Sequence, residues 1–335
     1  IHGSPTAVLA FGDHGGAIGT LVGEENRGLE YMFIMMNAAR FNVGLEGLGD
    51  AERAYQRAVV YARDRVQGTE VGARGGPKVP IIKHPDVRRM LLSMRARIEA
   101  MRALAYVTAA ALDNAHAHQD SVAREKARAF ADLLIPVVKG WSTESAIDIA
   151  SLGVQVHGGM GYIEETGAAQ HLRDARITAI YEGTTAIQAN DLIGRKIARE
   201  KGATILAVIA DMRAAIAQLD ADLAHIGVRQ SAAVDALERA VFWIVANFSS
   251  DPKAAHVGAV PFLHLFGIVA GGWQMGRAAV IARAKIALAD NDPFWPAKIV
   301  TTRFYADHFL TQAAGLADSV VAGAAGALDM ADDSF

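Results

Sequence analysis

Over most of the chain, apolar side chains recur every third or fourth position. That spacing lines them along one face of an α-helix. Met32, Phe33, Met36, Ala39, Val43, Leu48 and Ala51 set this period over about 29–66. It continues in predicted helices at about 84–116 and 123–139, and in a fourth that starts at Ser142 or Thr143 and runs to Val156. Further helices are predicted at 184–200, 203–225, 230–248, 255–290 and 296–328. Pro85 suits a first helical turn, and Pro136 is expected to kink or end its helix. Gly44, Gly47 and Gly49 in mid-helix predict close approach of a neighbouring helix. Residues 68–83, rich in glycine, proline and charge, read as a loop.

Two stretches break the pattern. At the start, Ser4-Pro5-Thr6 is turn chemistry, and short apolar runs at 7–11 and 18–22 flank Gly12-Asp13-His14-Gly15-Gly16. This predicts two strands joined by a hairpin turn. Two strands alone are marginal in water, so they read as the tail of a larger sheet. The chain opens at Ile1 in mid-pattern without a signal peptide, and is expected to be a C-terminal piece of a longer or processed protein. The second stretch runs from Gln155-Val156-His157-Gly158-Gly159-Met160-Gly161-Tyr162 through Arg173-Asp174-Ala175-Arg176 to Ile180-Tyr181-Glu182-Gly183-Thr184-Thr185-Ala186-Ile187-Gln188. Here glycines gather, and a carboxylate stands beside a glycine just ahead of a new helix.

Composition narrows the class. With 335 residues, 52% of them apolar, and 9 prolines, the chain supports a mostly α fold with a sizeable core. A net charge of −3 without a dense basic patch does not support nucleic-acid binding. The absence of cysteine removes disulfides, thiolate metal sites and a cysteine nucleophile, and fits a cytoplasmic enzyme. No uninterrupted apolar run reaches the roughly 20 residues of a membrane span. His116, His118, His157 and His171 lack metal-site spacing with nearby acids, so no metal is expected. Trp273, Phe294, Trp295 and Tyr305 read as core.

Candidate chemistry concentrates in the second stretch. Thr185-x-x-Gln188 is a capping-box pattern that puts Glu182 just before a helix N-terminus, where the dipole favours its charged form. Gly158, Gly159 and Gly161 serve either as a helix C-cap or as bared backbone for close approach of a large ligand. A helix, not a strand, precedes them, so this is no dinucleotide fingerprint. Arg40 lies among Met36, Ala39, Phe41 and Val43 and needs a partner if buried. Arg65 offers a planar fork for phosphate, or is a solvated charge at a helix end. Arg173, Asp174 and Arg176 are expected to form an ion-pair network that fixes the Glu182 loop.

These three motifs, in this order and spacing, resemble the C-terminal helical domain of flavin-dependent acyl-CoA dehydrogenases. Gly23-Glu24-Glu25-Asn26-Arg27-Gly28, Asn37, Arg40 and Tyr61-Ala62-Arg63-Asp64-Arg65 extend the likeness over about 1–200. The helices beyond resemble the longer branch of the family, with 3-methylmercaptopropionyl-CoA and broad-range fatty acyl-CoA dehydrogenases. The resemblance implies a remnant of the middle β-domain at 1–23, a four-helix bundle at 24–200 and an additional helical module at 201–335. It implies FAD as cofactor, an acyl-CoA substrate, electron transfer to an electron-transfer flavoprotein, and a homodimer or dimer of dimers. Glu182 would be the base that takes the α-proton while the β-hydrogen leaves as hydride to flavin N5, giving the trans-2-enoyl thioester. Exclusion of water by substrate would then raise its basicity. Gln155, Gly158, Gly159, Gly161 and Thr184 would contact the cofactor, and Arg65 would reach its phosphate end from a neighbouring subunit. Asn37, Arg40 and Gly183 would meet the substrate. Ala186 departs from the family, where a polar residue often makes a further flavin contact. The alternative is a flavin-binding or oligomerisation module of the same family without dehydrogenase activity.

Overall fold

A computed structural model describes residues 3, 5–73 and 75–335, the side chain of Ile34 excepted. Ser4, part of the expected opening turn, lies outside the described residues. The helices are α1 (Gly28–Asp64), α2 (Pro85–Ala117), α3 (Ser121–His157), α4 (Gly159–Tyr162), α5 (Ala168–Thr178) and α6 (Thr185–Asp191). A π-helical turn, Leu192–Ala198, follows. Then come α7 (Ala203–Ile216), α8 (Ala224–Asn247), α9 (Pro252–Val257), α10 (Ala259–Ala287), α11 (Phe294–His308), α12 (Ala313–Ala322) and α13 (Ala324–Leu328).

The mostly α expectation holds, but three local expectations do not. Among the described residues no strand forms. Residues 7–11 and 18–22 flank a turn in which the Gly16 N–H donates to the Gly12 carbonyl (3.1 Å), and they do not pair. Nothing covers their side chains, and an isolated hairpin gains too little to order. Second, α3 runs unbroken through Pro136, so the predicted third and fourth helices are one. Every residue from Leu133 to Thr143 is buried, and this packing outweighs the missing N–H. Asp120 caps α3 by accepting the Val122 N–H at 3.0 Å. Third, the long helix expected at 296–328 is broken into α11, α12 and α13.

Helices α1 and α3 run parallel and in close contact. A Cβ on Gly44 would lie 2.7 Å from the Val138 carbonyl oxygen, and one on Gly47 would lie 3.1 Å from Thr143 Cα. Further along the same pair, the Tyr61 and His157 rings stack at 4.4 Å. Gly49, by contrast, faces open space.

Helix α10, predicted within 255–290, is the one described helix long and apolar enough to cross a membrane. Here it is a core helix, with Phe262, Leu263, Phe266 and Met275 buried. It packs on α2, α3 and α6 as well as on α8, α11 and α12, so a single core runs from Leu48 to Val320. At the α2–α11 contact, Glu99 accepts from Lys298 (2.6 Å), Thr301 (2.9 Å) and Arg95 (2.8 Å). Burial raises the Glu99 carboxyl, but these partners outweigh it and hold it below the usual carboxylate range. Trp273 and Tyr305 are core residues as expected, whereas Phe294 is exposed.

Candidate active site

The Glu182 loop joins α5 to α6 through a left-handed turn. Glu182 has φ 55° and Gly183 φ 94°. A non-glycine residue in that region costs about 1–2 kcal/mol, so the surroundings must enforce it. Two side chains hold the loop's carbonyls from below. The Lys139 ammonium, on α3, donates to the Gly183 carbonyl at 2.7 Å, and the Gln188 amide donates to the Glu182 and Gly183 carbonyls, each at 3.3 Å. Two more contacts hold the flanks. The Tyr181 hydroxyl donates to Glu46 on α1, and the Thr185 hydroxyl donates to Glu144 on α3.

The cap differs from the sequence expectation by one residue. Thr184 is the N-cap, its hydroxyl accepting from the Ile187 N–H at 3.5 Å, while Thr185 is the first helical residue and is buried. Gln188 therefore holds the loop's carbonyls and does not close a capping box. Nor do Arg173, Asp174 and Arg176 fix the loop. Among the described residues they form no ion pair, and Asp174 accepts from Gln170 at 2.7 Å within α5. The residues that do the holding, Lys139, Glu46 and Glu144, escaped the sequence reading. The available signal was a lone lysine directly after the apolar run Leu133-Leu134-Ile135-Pro136-Val137-Val138.

Charge is dense around this loop. Lys139 is fully buried, and burial pulls its ammonium down to about 8, with Glu144, Glu182 and Glu46 opposing and Arg40 adding to the shift. Burial and the hydrogen bond to Glu46 push the Tyr181 phenol up. On the next turns of α1, burial first, then Glu46 and Asp174, push the Asp50 carboxyl up to about 6. Arg40 is buried and donates to Asp191 of α6 at 3.3 Å, with its Nε left without a partner. Asn37 is half-buried one turn earlier on α1.

The proposed residues fall into two groups at opposite ends of the α1–α3 pair. Asn37, Arg40, Glu182, Gly183 and Thr184 gather near Lys139. Arg65, Gln155, Gly158, Gly159 and Gly161 gather where Tyr61 stacks on His157. Lys139 and His157 are 18 residues apart on one helix, about 27 Å. No side chain spans that distance, so the glycine cluster does not border the Glu182 carboxylate. The glycines also differ among themselves. Gly158 (φ 61°) caps α3 and Gly159 follows it, and both face open space. Gly161 is buried, and a Cβ on it would lie 2.4 Å from the Val154 carbonyl oxygen, so the packing there leaves no room for a side chain. Arg65 is exposed, with its guanidinium 3.2 Å from the Gln67 amide oxygen. Gln155 and Thr184 are exposed, and Glu182 is half-buried. Cavities of about 560 Å³, between α2, α3 and α10, and about 690 Å³, between α1, α2 and α11, do not include Glu182.

Comparison with known proteins matches these elements to a family. The family model described as "Acyl-CoA dehydrogenase, C-terminal domain" matches residues 26–198, and one described as "Acetyl-CoA dehydrogenase C-terminal like" matches 208–331. A 3-methylmercaptopropionyl-CoA dehydrogenase of Ruegeria pomeroyi is 49% identical over 315 residues, covering 93% of this chain and 53% of the relative. The chain thus spans about half the length of the curated relatives it matches. Among solved structures, Caenorhabditis elegans ACDH-11 in complex with C11-CoA superposes with a TM-score of 0.72 at 22% identity, covering 88% of this chain and 46% of that one. An acyl-CoA dehydrogenase from Bacillus anthracis complexed with FAD gives 0.68 at 19% identity, covering 93% and 52%. At those identities the two structures show a shared fold.

Proposed function

Because this chain belongs to the acyl-CoA dehydrogenase family, we propose that it is the helical part of a flavoenzyme that oxidises an acyl-CoA thioester to the trans-2-enoyl thioester, with Glu182 as the base. The observation that carries this is the display of Glu182. Its carboxylate stands on a left-handed turn whose two carbonyls are tied down by Lys139 and Gln188.

An α-proton is a weak acid, so a base must be held within hydrogen-bond reach of the carbon. The fixed turn limits where the Glu182 side chain can go and lowers the cost of orienting it at the moment of transfer. The Glu182 backbone N–H would serve as a donor to the thioester oxygen as enolate charge develops. Asn37 and Arg40 would line the thioester's approach along α1, with Arg40 already braced by Asp191.

The residues present fit FAD. Gly158 and Gly159 expose backbone into open space, and Gln155, Thr184 and Arg65 present exposed polar groups. FAD, when bound, supplies the hydride acceptor. The two ends of the α1–α3 pair would serve two cofactor molecules in a homodimer or dimer of dimers. Thr184 would touch the cofactor beside Glu182, while Arg65 and Gln155 would reach one held by a neighbouring copy. An electron-transfer flavoprotein would reoxidise the enzyme.

The test is Glu182→Gln in the flavin-loaded protein. Flavin content should stay, while substrate-induced bleaching of the flavin band and turnover should fall by about 10³-fold or more, in line with loss of a positioned base. Turnover within a few-fold of the parent would remove Glu182 from this role.

A further inference from the structure

Lys139 is the largest charged side chain to be fully buried in the described chain. Burial of an ammonium is costly unless the charge is used or paired, and an aliphatic side chain would fill the same volume without that cost. The Nζ of Lys139 donates to a backbone carbonyl, Gly183, and among the described residues it forms no ion pair. Its charge is therefore not consumed by a contacting carboxylate. It acts at longer range on the acids around it.

We propose that Lys139 is a positioning residue for the Glu182 base, clamping the left-handed turn through the Gly183 carbonyl and setting its positive charge beside the carboxylate. This rests on the assignment of Glu182 as the base. The clamp follows from geometry. Glu182 and Gly183 both sit at positive φ, and the 2.7 Å hydrogen bond from α3 fixes the peptide that follows the glutamate. The charge follows from the surroundings. Facing Lys139 are Arg40 and Glu46 from α1, Glu144 from its own helix and Glu182 from the loop, while Gln188 of α6 shares the Gly183 carbonyl with it. Asp191 of α6 is taken up by Arg40, Glu144 by the Thr185 hydroxyl and Glu46 by the Tyr181 hydroxyl. His264 of α10 lies beyond Glu144, and burial holds it towards its neutral form. Of the carboxylates facing the ammonium, Glu182 is the one with no hydrogen-bonded partner for its side chain among the described residues, so the field of Lys139 falls on the group that must stay deprotonated.

The experiment is the pH–kcat profile of flavin-loaded Lys139→Met beside the parent. A base needed in its ionised form gives an acid limb, and loss of a nearby positive charge moves that limb upward, by about one pH unit for a charge at this range. We expect that shift, with kcat lowered about 10–100-fold by the loosened turn, and KM and flavin content changed less than about twofold, since Lys139 is fully buried beneath the loop. A purely structural lysine would lower thermal stability and flavin content and leave the limb in place. An unmoved acid limb overturns the proposal, whatever the fall in kcat. Should Lys139→Met not yield loaded protein, Lys139→Gln keeps a donor towards the Gly183 carbonyl and removes the charge; the same upward shift is expected, and its absence overturns the proposal. Glu182→Gln separates the two ideas. If it abolishes turnover while the limb of Lys139→Met stays put, the base stands and the role of Lys139 falls. If it retains turnover, both fall.

Discussion

Helix α10 and residues 5–35 carry similar stocks of large apolar side chains and use them in opposite ways. In α10, 17 of 29 residues are buried, including both phenylalanines and Trp273. Between residues 5 and 35, Val8, Leu9, Phe11, Ile18, Leu21, Val22, Leu29, Met32, Phe33 and Met35 are all exposed, Ile18 completely. The difference lies in partners. α10 packs against eight helices and meets the bundle at small residues, so close that a Cβ on Gly267 would lie 2.2 Å from the Trp141 ring. Residues 5–27 meet almost nothing. Apolar composition states what a segment could bury, and the rest of the fold decides whether it does.

The sharpest way to break this contrast is at the α3–α10 seam. Trp141 is buried against Gly267 and Gly271. Trp141→Ala should destabilise this chain by about 3–5 kcal/mol, the loss expected when a large core aromatic leaves a cavity, measured by denaturant unfolding. A loss below about 1 kcal/mol would mean that the two helices do not share a core.

How much of this was legible in the sequence follows the same division. Period alone found the long helices, because α1 and α2 bury one face and follow it closely. It misplaced the break at Pro136, because whether a proline ends a helix depends on what presses on it, and here α1 and α10 press on the same turns. The position of Glu182 just ahead of α6 was legible because a carboxylate beside a glycine and ahead of a cap is a local pattern. Lys139 was not, because its partner lies 44 residues away and becomes visible only when α3 is laid beneath the loop. The glycine cluster was found as a local pattern, but its distance from Glu182 was not, because sequence proximity hid the length of α3 that separates them in space. The two short apolar runs at 7–11 and 18–22 flank a turn as strands do, yet strands need partners that no local pattern supplies.

Between the buried and the open regions lies the middle of α1, and Asp50 measures it. Half-buried, with Glu46 and Asp174 near, its carboxyl is pushed up to about 6. A folded-state value above the ordinary one means that the folded chain holds an extra proton between about pH 4 and pH 6. Stability from this group is therefore present below about pH 4 and is lost as the pH rises through 6. At pH 7 the folded chain carries the cost of an ionised, crowded carboxylate. Asp50→Asn should raise stability at pH 7–8 by at most about 1 kcal/mol, once the shift is discounted for solvent screening, and should have no effect near pH 4. Thermal melts at the two pH values check the sign. A gain that is equal at both would place its cause in packing instead of ionisation.

The smallest effect is expected where the contrast is most extreme. Phe11 is 79% exposed and Ile18 completely so. Removing an apolar side chain that is not withdrawn from water forfeits no burial, so the pair Phe11→Ser and Ile18→Ser should change the stability of this chain by less than about 0.5 kcal/mol. The same substitutions inside α10 would cost several times more, at equal change in composition. Their value lies in a second measurement. If 7–11 and 18–22 became strands against a surface outside this chain, the double substitution would weaken that contact while leaving the isolated chain's unfolding curve in place. A loss of more than about 1 kcal/mol in the chain alone would instead mean that these runs already pack, and would erase the distinction between its two ends.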